Sequence, residues 1–375
     1  MYFPQLTFLR YIAAAIVLMS HFGQVQEILS IPGLGNAMHY SNTLLSFFFV
    51  LTGFVLILSI NQNNQLPPAI PPKLLLFRRL IRIYPLHWLA LLLTLVMQQI
   101  ELVQNPTADV APVDTGKVLA HALLLQAWYP EYSFALVYNY VSWTLCVELL
   151  LTLLAPFLYS WMLKQPTTRL VRNVTLVWLG SLLVHYQCLQ QGMPVDWGFF
   201  WPPVHVPEFI VGMAGGFVLC RRFEVLKQQA KWMHGLAYLS GALMIGLMMG
   251  AFPYLYKNSL IFAPTYLFVL LSVSLSSNWV TKLFCTKPFL YLGKISYGVY
   301  ILQLPVAIFI LRVVHPWAGW PYRYSVLLFL VTLTGVAALA YEWMEKPIAT
   351  YVKNRLLRKV TSVPLVEPSP SLVAQ

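Results

Sequence analysis

Residues 42–60 read NTLLSFFFVLTGFVLILSI. The stretch has nineteen residues and no charge, with three consecutive phenylalanines and a single glycine. A helix needs about 20 mostly apolar residues to cross the hydrocarbon of a bilayer. A helix that is apolar on every side is buried in protein or lipid. Similar windows recur along the chain, near 6–25, 79–99, 142–163, 172–190, 204–221, 232–251, 258–276, 291–313 and 323–343. With residues 42–60 they make ten predicted spans. The windows at 172–190 and 204–221 are the least apolar. The first carries His185 and Gln187, and the second carries Glu208 and several glycines.

Composition agrees with this reading. Of 375 residues, 59% are hydrophobic and only 10% charged. A soluble chain of this length carries far more charge on its surface. The expected fold is therefore all-α, a polytopic membrane protein of about ten transmembrane helices. Residues 1–350 form the membrane domain, and 351–375 form a basic and then disordered tail. No small-residue cleavage site follows the first window, so it is expected to be a retained span rather than a signal peptide. The four cysteines are far apart, which argues against a disulfide framework and a zinc site.

The net charge of +12 suggests nucleic acid at first sight. Its distribution points to a membrane instead. With both termini in the cytoplasm, nineteen of the 24 lysines and arginines fall on the cytoplasmic side, as expected of a multi-pass protein of the inner membrane. The exceptions are Lys117, Lys257, Arg312 and Arg323 in outer loops and Arg10 on the first span. Residues 117–130 (KVLAHALLLQAWYP) look like a further span but are too short to cross comfortably. A crossing there would reverse the side of every later basic residue. They are expected to form an interfacial or re-entrant helix in the longest outer loop.

Charge on a membrane helix is costly and marks a candidate site. Arg10 and His21 lie on the first span. Their spacing of eleven residues is about three turns, so they share a face about 16 Å apart along the axis. Arg10 could bind an anion or snorkel to the headgroups; His21 could transfer a proton or be a packing residue. Arg78, Arg79 and Arg82 sit in FRRLIRIYP at the cytoplasmic mouth of the third span, with Arg79 and Arg82 on one face. They suit either phosphate, which guanidinium groups grip bidentately, or simple anchoring.

Glu148 lies in VSWTLCVELLLT, on a polar stripe with Thr144 and Thr152. No cation is near it in sequence, so its partner must come from another helix. His21 is the expected partner, because a carboxylate orients an imidazole and raises its basicity. A structural hydrogen bond is the alternative. Gly293, Ser296, Tyr297, Tyr300 and Gln303 form a small and polar stripe on the ninth window, either helix-packing glue or a cavity lining. Glu342 and Glu345 are expected to pair with basic residues near them, and Glu208 has no evident role. The remaining histidines, among them His87, His121 and His205, share no spacing. No P-loop, dinucleotide-binding glycine pattern, H-E-x-x-H or G-x-S-x-G motif occurs.

The ordered set of Arg10-x10-His21, SFFFVLTGFVL, Arg79-x-x-Arg82 with Tyr84 and Pro85, Trp143-x4-Glu148, Glu208-Phe209 with Gly212-Met213, Gly293-x-x-Ser296-Tyr297-Gly298-x-Tyr300 and Glu345-Lys346-Pro347 resembles the membrane acyltransferase-3 family. The resemblance covers nearly the whole chain. It implies transfer of an acyl group, usually acetyl, from acyl-coenzyme A to a carbohydrate hydroxyl; the expected mechanism requires no metal, and the confinement of basic residues to loops argues against nucleic acid. The resemblance also implies a catalytic role for His21 and donor handling by Arg10, Arg79 and Arg82. Two departures stand out. Gln303 occupies a position where many relatives have histidine. The extra extracytoplasmic domain of many relatives is expected to be absent, leaving this chain to finish the transfer alone or through a partner.

Joined together, the two readings place donor phosphates at Arg79, Arg82 and Arg10. His21, held by Glu148, acts as general base. Tyr297 or Tyr300 stabilises the oxyanion, with Ser296 beside them. A transporter or flippase for a glycolipid or anion is the competing expectation. Such proteins often carry inverted repeats, and no repeat is evident in the sequence.

Overall fold

The computed structural model describes residues 3–22, 43–61, 64–108, 110–129, 131–249 and 259–352. The tail expected beyond residue 350 lies, from 353 onward, outside the described residues. Among them the longer helices are α1 (Gln5–Phe22), α2 (Leu45–Ile60), α3 (Pro72–Gln104), α4 (Thr115–Ala122), α5 (Trp143–Leu163) and α6 (Thr167–Gln190). Then follow α7 (Val206–Gln228), α8 (Ala230–Met249), α9 (Ala263–Leu275), α10 (Lys287–Ala307) and α11 (Tyr322–Ala340). Two π-helical segments, Ile308–Val314 and Tyr341–Glu345, extend α10 and α11.

Each of the ten predicted windows holds a helix. Six helical stretches are long and apolar enough to cross a membrane unaided, and α1, α2 and the stretch ending in α9 are shorter apolar helices. Among the described residues the fold is all-helical, as expected, and the chain reads as a multi-pass membrane protein. α7 and α10 form the centre, with 72% and 67% of their apolar windows buried, against 11% for α8 at the periphery. The large apolar side chains that α8 leaves exposed, such as Trp232, Tyr238 and Leu243, suit contact with lipid tails.

The core is set by glycine. A Cβ at Gly53 of α2 would collide with the Phe209 carbonyl oxygen of α7, and one at Gly212 would collide with the Val50 carbonyl oxygen of α2. Backbone therefore meets backbone, the arrangement that small residues permit in membrane bundles. The same holds where Gly293 of α10 lies against the Thr7 carbonyl of α1. Overpacking usually costs about 1–3 kcal/mol, and here no flexible side chain can give way. Gly212→Ala is therefore expected to lower the thermal midpoint in detergent sharply. Gly241→Ala on α8, where the added methyl meets nothing, is expected to leave it unchanged or raise it, alanine being the better helix former by about 1 kcal/mol.

The predicted interfacial segment is also not a crossing. α4 has eight residues, after which the chain turns, with Leu124 held at φ 58°. The carbonyls at the end of a helix need donors. Here α3 supplies them from one face. Tyr84 donates to Leu123 O, His87 to His121 O at 2.8 Å, and Trp88 to Ala122 O at 2.9 Å. His121 Nε2 in turn donates to Phe134 O at 3.0 Å. His87 thus clasps the segment to α3, and His121 ties it to the stretch around Phe134.

Burial pushes His121 down to about 4. A free histidine protonates near 6.5, so protons favour the undocked state, and docking weakens as pH falls from about 6.5 to about 4. The full effect is on the order of 3 kcal/mol. The thermal midpoint is expected to fall over that window in the parent and to fall less in His121→Gln.

Candidate functional site

One cavity of about 790 Å³ runs between α2, α3, α5 and α10. On α2 it touches residues from Leu45 to Ile60, which is about 22 Å of helix axis. Its lining collects Arg10, Arg79, Arg82, Glu148, Ser296, Tyr297 and Tyr300, from four different helices. Thr144 and Thr152 complete the polar stripe of α5 on the same wall. Seven of the eight predicted site residues therefore share one space. The eighth, His21, belongs to the last turn of α1, but its side chain lies outside the described residues.

Glu148 is paired with Arg79, and its expected pairing with His21 falls outside the described residues. Its Oε1 lies 2.6 Å from Arg79 Nη1. Arg79 Nε also donates to Thr152 Oγ1 at 3.3 Å, and Thr152 donates to the Glu148 carbonyl at 2.8 Å. The reason is register. Thr144 and Tyr300 meet through their hydroxyls at 3.2 Å, and Glu148 sits one turn further along α5 towards the basic end. Arg10 lies about a turn beyond Thr7, whose carbonyl meets Gly293 of α10, and Ser296 and Tyr297 lie about a turn beyond Gly293 and one turn short of Tyr300. Glu148 is therefore level with Arg10, while His21 lies about 16 Å further along α1. The nearest cation to a carboxylate at that level is Arg79. Both side chains are about one-fifth exposed, so the pair looks into the cavity rather than into closed core.

The arginines are not equivalent. Arg79 is tied to Glu148. Arg10 and Arg82 have no hydrogen-bond or ion-pair partner among the described residues, although Glu148 acts on Arg10 through space and Glu345 on Arg82. With Arg78 the cavity lining holds four arginines and one carboxylate. Such an excess of positive charge in a bundle of apolar helices suits a ligand with several negative charges.

The hydroxyls of Tyr297 and Tyr300, expected to serve an oxyanion, meet backbone carbonyls. The Tyr297 hydroxyl donates to Ile83 O at 2.8 Å, and that of Tyr300 to Val141 O at 3.2 Å. Ser296 Oγ donates to Gly293 O at 2.8 Å. Each proton is committed to a backbone carbonyl. These groups pin α10 to its neighbours and line the cavity, and none offers a free donor to an oxyanion in this conformation.

Of the carboxylates, Glu342 pairs with Lys346 as expected. Among the described residues Glu345 has no ion-pair partner, and its Oε1 is buried without a hydrogen bond. Glu208 is buried and accepts from Ser46 Oγ at 2.6 Å, with His205 Nδ1 at 2.9 Å. His205 Nε2 faces the Phe199 carbonyl at 2.9 Å and so carries a hydrogen. Glu208 and His205 consequently share one proton, and they tie the start of α7 to the start of α2. Sequence spacing alone gave neither this pair nor the Glu101–Arg312 ion pair at the far end of α3. The i, i+3 spacing of His205 and Glu208 was the available signal for the former.

With this geometry in place, known proteins provide a frame. The acyltransferase-3 family model, an acyltransferase domain, matches residues 3–341. Acyltransferase MdmB of Streptomyces mycarofaciens is 31% identical over 231 residues, 58% of this chain and 57% of the relative. The putative peptidoglycan O-acetyltransferase YrhL of Bacillus subtilis (strain 168) is 28% identical over 109 residues, 29% of this chain and 17% of the relative. The matches thus span just over half of one relative and about a sixth of the other. No solved structure matches. The family match takes in every helix from α1 to α11, and with them the arginine-lined cavity: the chain belongs to the acyltransferase-3 family.

Proposed function

We propose that this protein is an O-acyltransferase of the inner membrane. It moves an acyl group, acetyl by preference, from acyl-coenzyme A to a hydroxyl of a carbohydrate. The observation that carries the proposal is the cavity, where four arginines and one carboxylate line a membrane-embedded space. Coenzyme A presents a pyrophosphate and a ribose phosphate, the kind of ligand such a lining suits. The name of the B. subtilis relative, a peptidoglycan O-acetyltransferase, supports a carbohydrate acceptor.

In this reading the donor enters from the basic, cytoplasmic end. Arg82, Arg10 and Arg79 take its pyrophosphate, with Glu148 holding Arg79 in place. The pantetheine arm continues along α1, and the interval of about 16 Å from Arg10 to His21 matches its length. His21 removes the proton from the acceptor hydroxyl. The hydroxyl oxygen attacks the thioester carbonyl carbon, and the carbon–sulfur bond breaks. The thiolate takes the proton back from the imidazolium and leaves as coenzyme A, and the acceptor leaves as its ester.

The test uses purified protein, acetyl-coenzyme A and cell envelopes from a strain lacking the gene as acceptor. Release of free thiol that depends on added envelopes, with label entering the glycan, is the expected result. No consumption of acetyl-coenzyme A, with or without acceptor, would remove the proposal and favour a transporter.

A further inference from the structure

Below the arginines the cavity changes character. Towards the basic end its wall is made of Pro67, Ala69, Ile70, Pro71, Leu74 and Leu75, with Ile60 of α2 opposite and Arg78 at the edge. This stretch is aliphatic, and among the residues lining the cavity its nearest carboxylate is Glu148, well above it. The connection between α2 and α3 that carries these prolines is fixed from below. The buried Tyr159 hydroxyl donates to the Pro67 carbonyl, and Ile70 is itself buried. Proline locks its own backbone and has no N–H, so this wall is stiff and poor in donors.

From Arg79 back to Pro71, the residue just before α3, is eight residues, about 12 Å of axis. That is room for a nucleoside beneath a pyrophosphate. We propose that this wall is a platform for the purine ring of the donor, and that Arg78 takes the phosphate on its ribose. The inference rests on the acyl-coenzyme A reading and sharpens it. The protein would select a complete nucleotide-bearing donor over an acyl group carried on phosphopantetheine alone. A flat heteroaromatic ring suits an apolar slot, while a charged residue would suit a carrier protein's surface. Arg78 lies one turn before Arg82 on the same face, so a second phosphate and the pyrophosphate can be held by one helix.

The experiment is calorimetric titration of the purified full chain in detergent with coenzyme A, dephospho-coenzyme A and 4′-phosphopantetheine. Coenzyme A is expected to bind at least about tenfold more tightly than 4′-phosphopantetheine, a difference of about 1.4 kcal/mol. Leu74→Asp should erase that margin and leave 4′-phosphopantetheine binding as it was. Arg78→Ala should erase the margin between coenzyme A and dephospho-coenzyme A. Equal affinity of the unmutated protein for all three would overturn the platform while leaving the acyltransferase reading intact. Failure of all three to bind would overturn both. Loss of 4′-phosphopantetheine binding in Leu74→Asp would show a structural effect and count against the platform.

Discussion

Glu148→Gln is expected to lower kcat/KM for the acyl donor by about a hundredfold or more. Removing one member of a desolvated ion pair strands the other, at a typical cost of about 3–5 kcal/mol, and each 1.4 kcal/mol is a factor of ten. The pair here is about one-fifth exposed, so the lower end of that range applies. What is lost is the position of Arg79. It makes its close contact with Glu148 and a weaker one with Thr152. The effect should therefore fall on donor KM. Because Arg79 and Glu148 act as one unit, Arg79→Ala combined with Glu148→Gln should cost little more than either change alone. Steady-state kinetics on the two single variants and the double variant check this. Fully additive losses, or a loss confined to kcat with a shifted pH profile, would return Glu148 to the role first expected of it, orienting His21.

His21→Ala should show the opposite split. A positioned general base contributes about a hundredfold to ten-thousandfold, so transfer to envelope glycan should fall by about three orders of magnitude. Donor binding should hold, because His21 is about 16 Å along α1 from Arg10. Equilibrium binding of coenzyme A to the variant, measured beside its transfer rate, separates the two effects. A weaker complex with an unchanged turnover would move His21 out of the chemistry and into the donor site.

These two experiments differ because the sequence spoke unevenly about the site. Charges stand out on apolar helices, since each costs energy in a membrane. That is why Arg10, Arg79, Arg82 and Glu148 could be singled out and why one cavity holds all four. Which carboxylate meets which cation depends on how helices slide past one another. That register is written in contacts between residues far apart in the chain, such as Thr7 with Gly293 and Thr144 with Tyr300. No local pattern carries it, so the pairing of Glu148 with Arg79 was not legible in the sequence.

The partners of the aromatic and histidine residues were not legible for a related reason. Tyr84, His87 and Trp88 resemble an ordinary interfacial belt in sequence. Only the position of the α4 carbonyls reveals them as caps. Tyr297 and Tyr300 looked available for catalysis because their backbone acceptors, Ile83 and Val141, lie on other elements. The helices themselves were easier. Each predicted window holds one, because a long uncharged run has little choice of conformation in a bilayer.

The glycines bear on how this sequence can drift over generations. Gly53, Gly212 and Gly293 face backbone atoms that cannot step aside, whereas Gly180, Gly235, Gly241, Gly246 and Gly335 face open space. The same letter is thus written under opposite pressures. Lineages should replace the second group freely, often with alanine, and keep the first even where the surrounding apolar residues have turned over entirely. A survey of natural variants would then show invariance tracing the seams between α2 and α7 and between α1 and α10, a map of where two chains of backbone touch rather than of where chemistry happens.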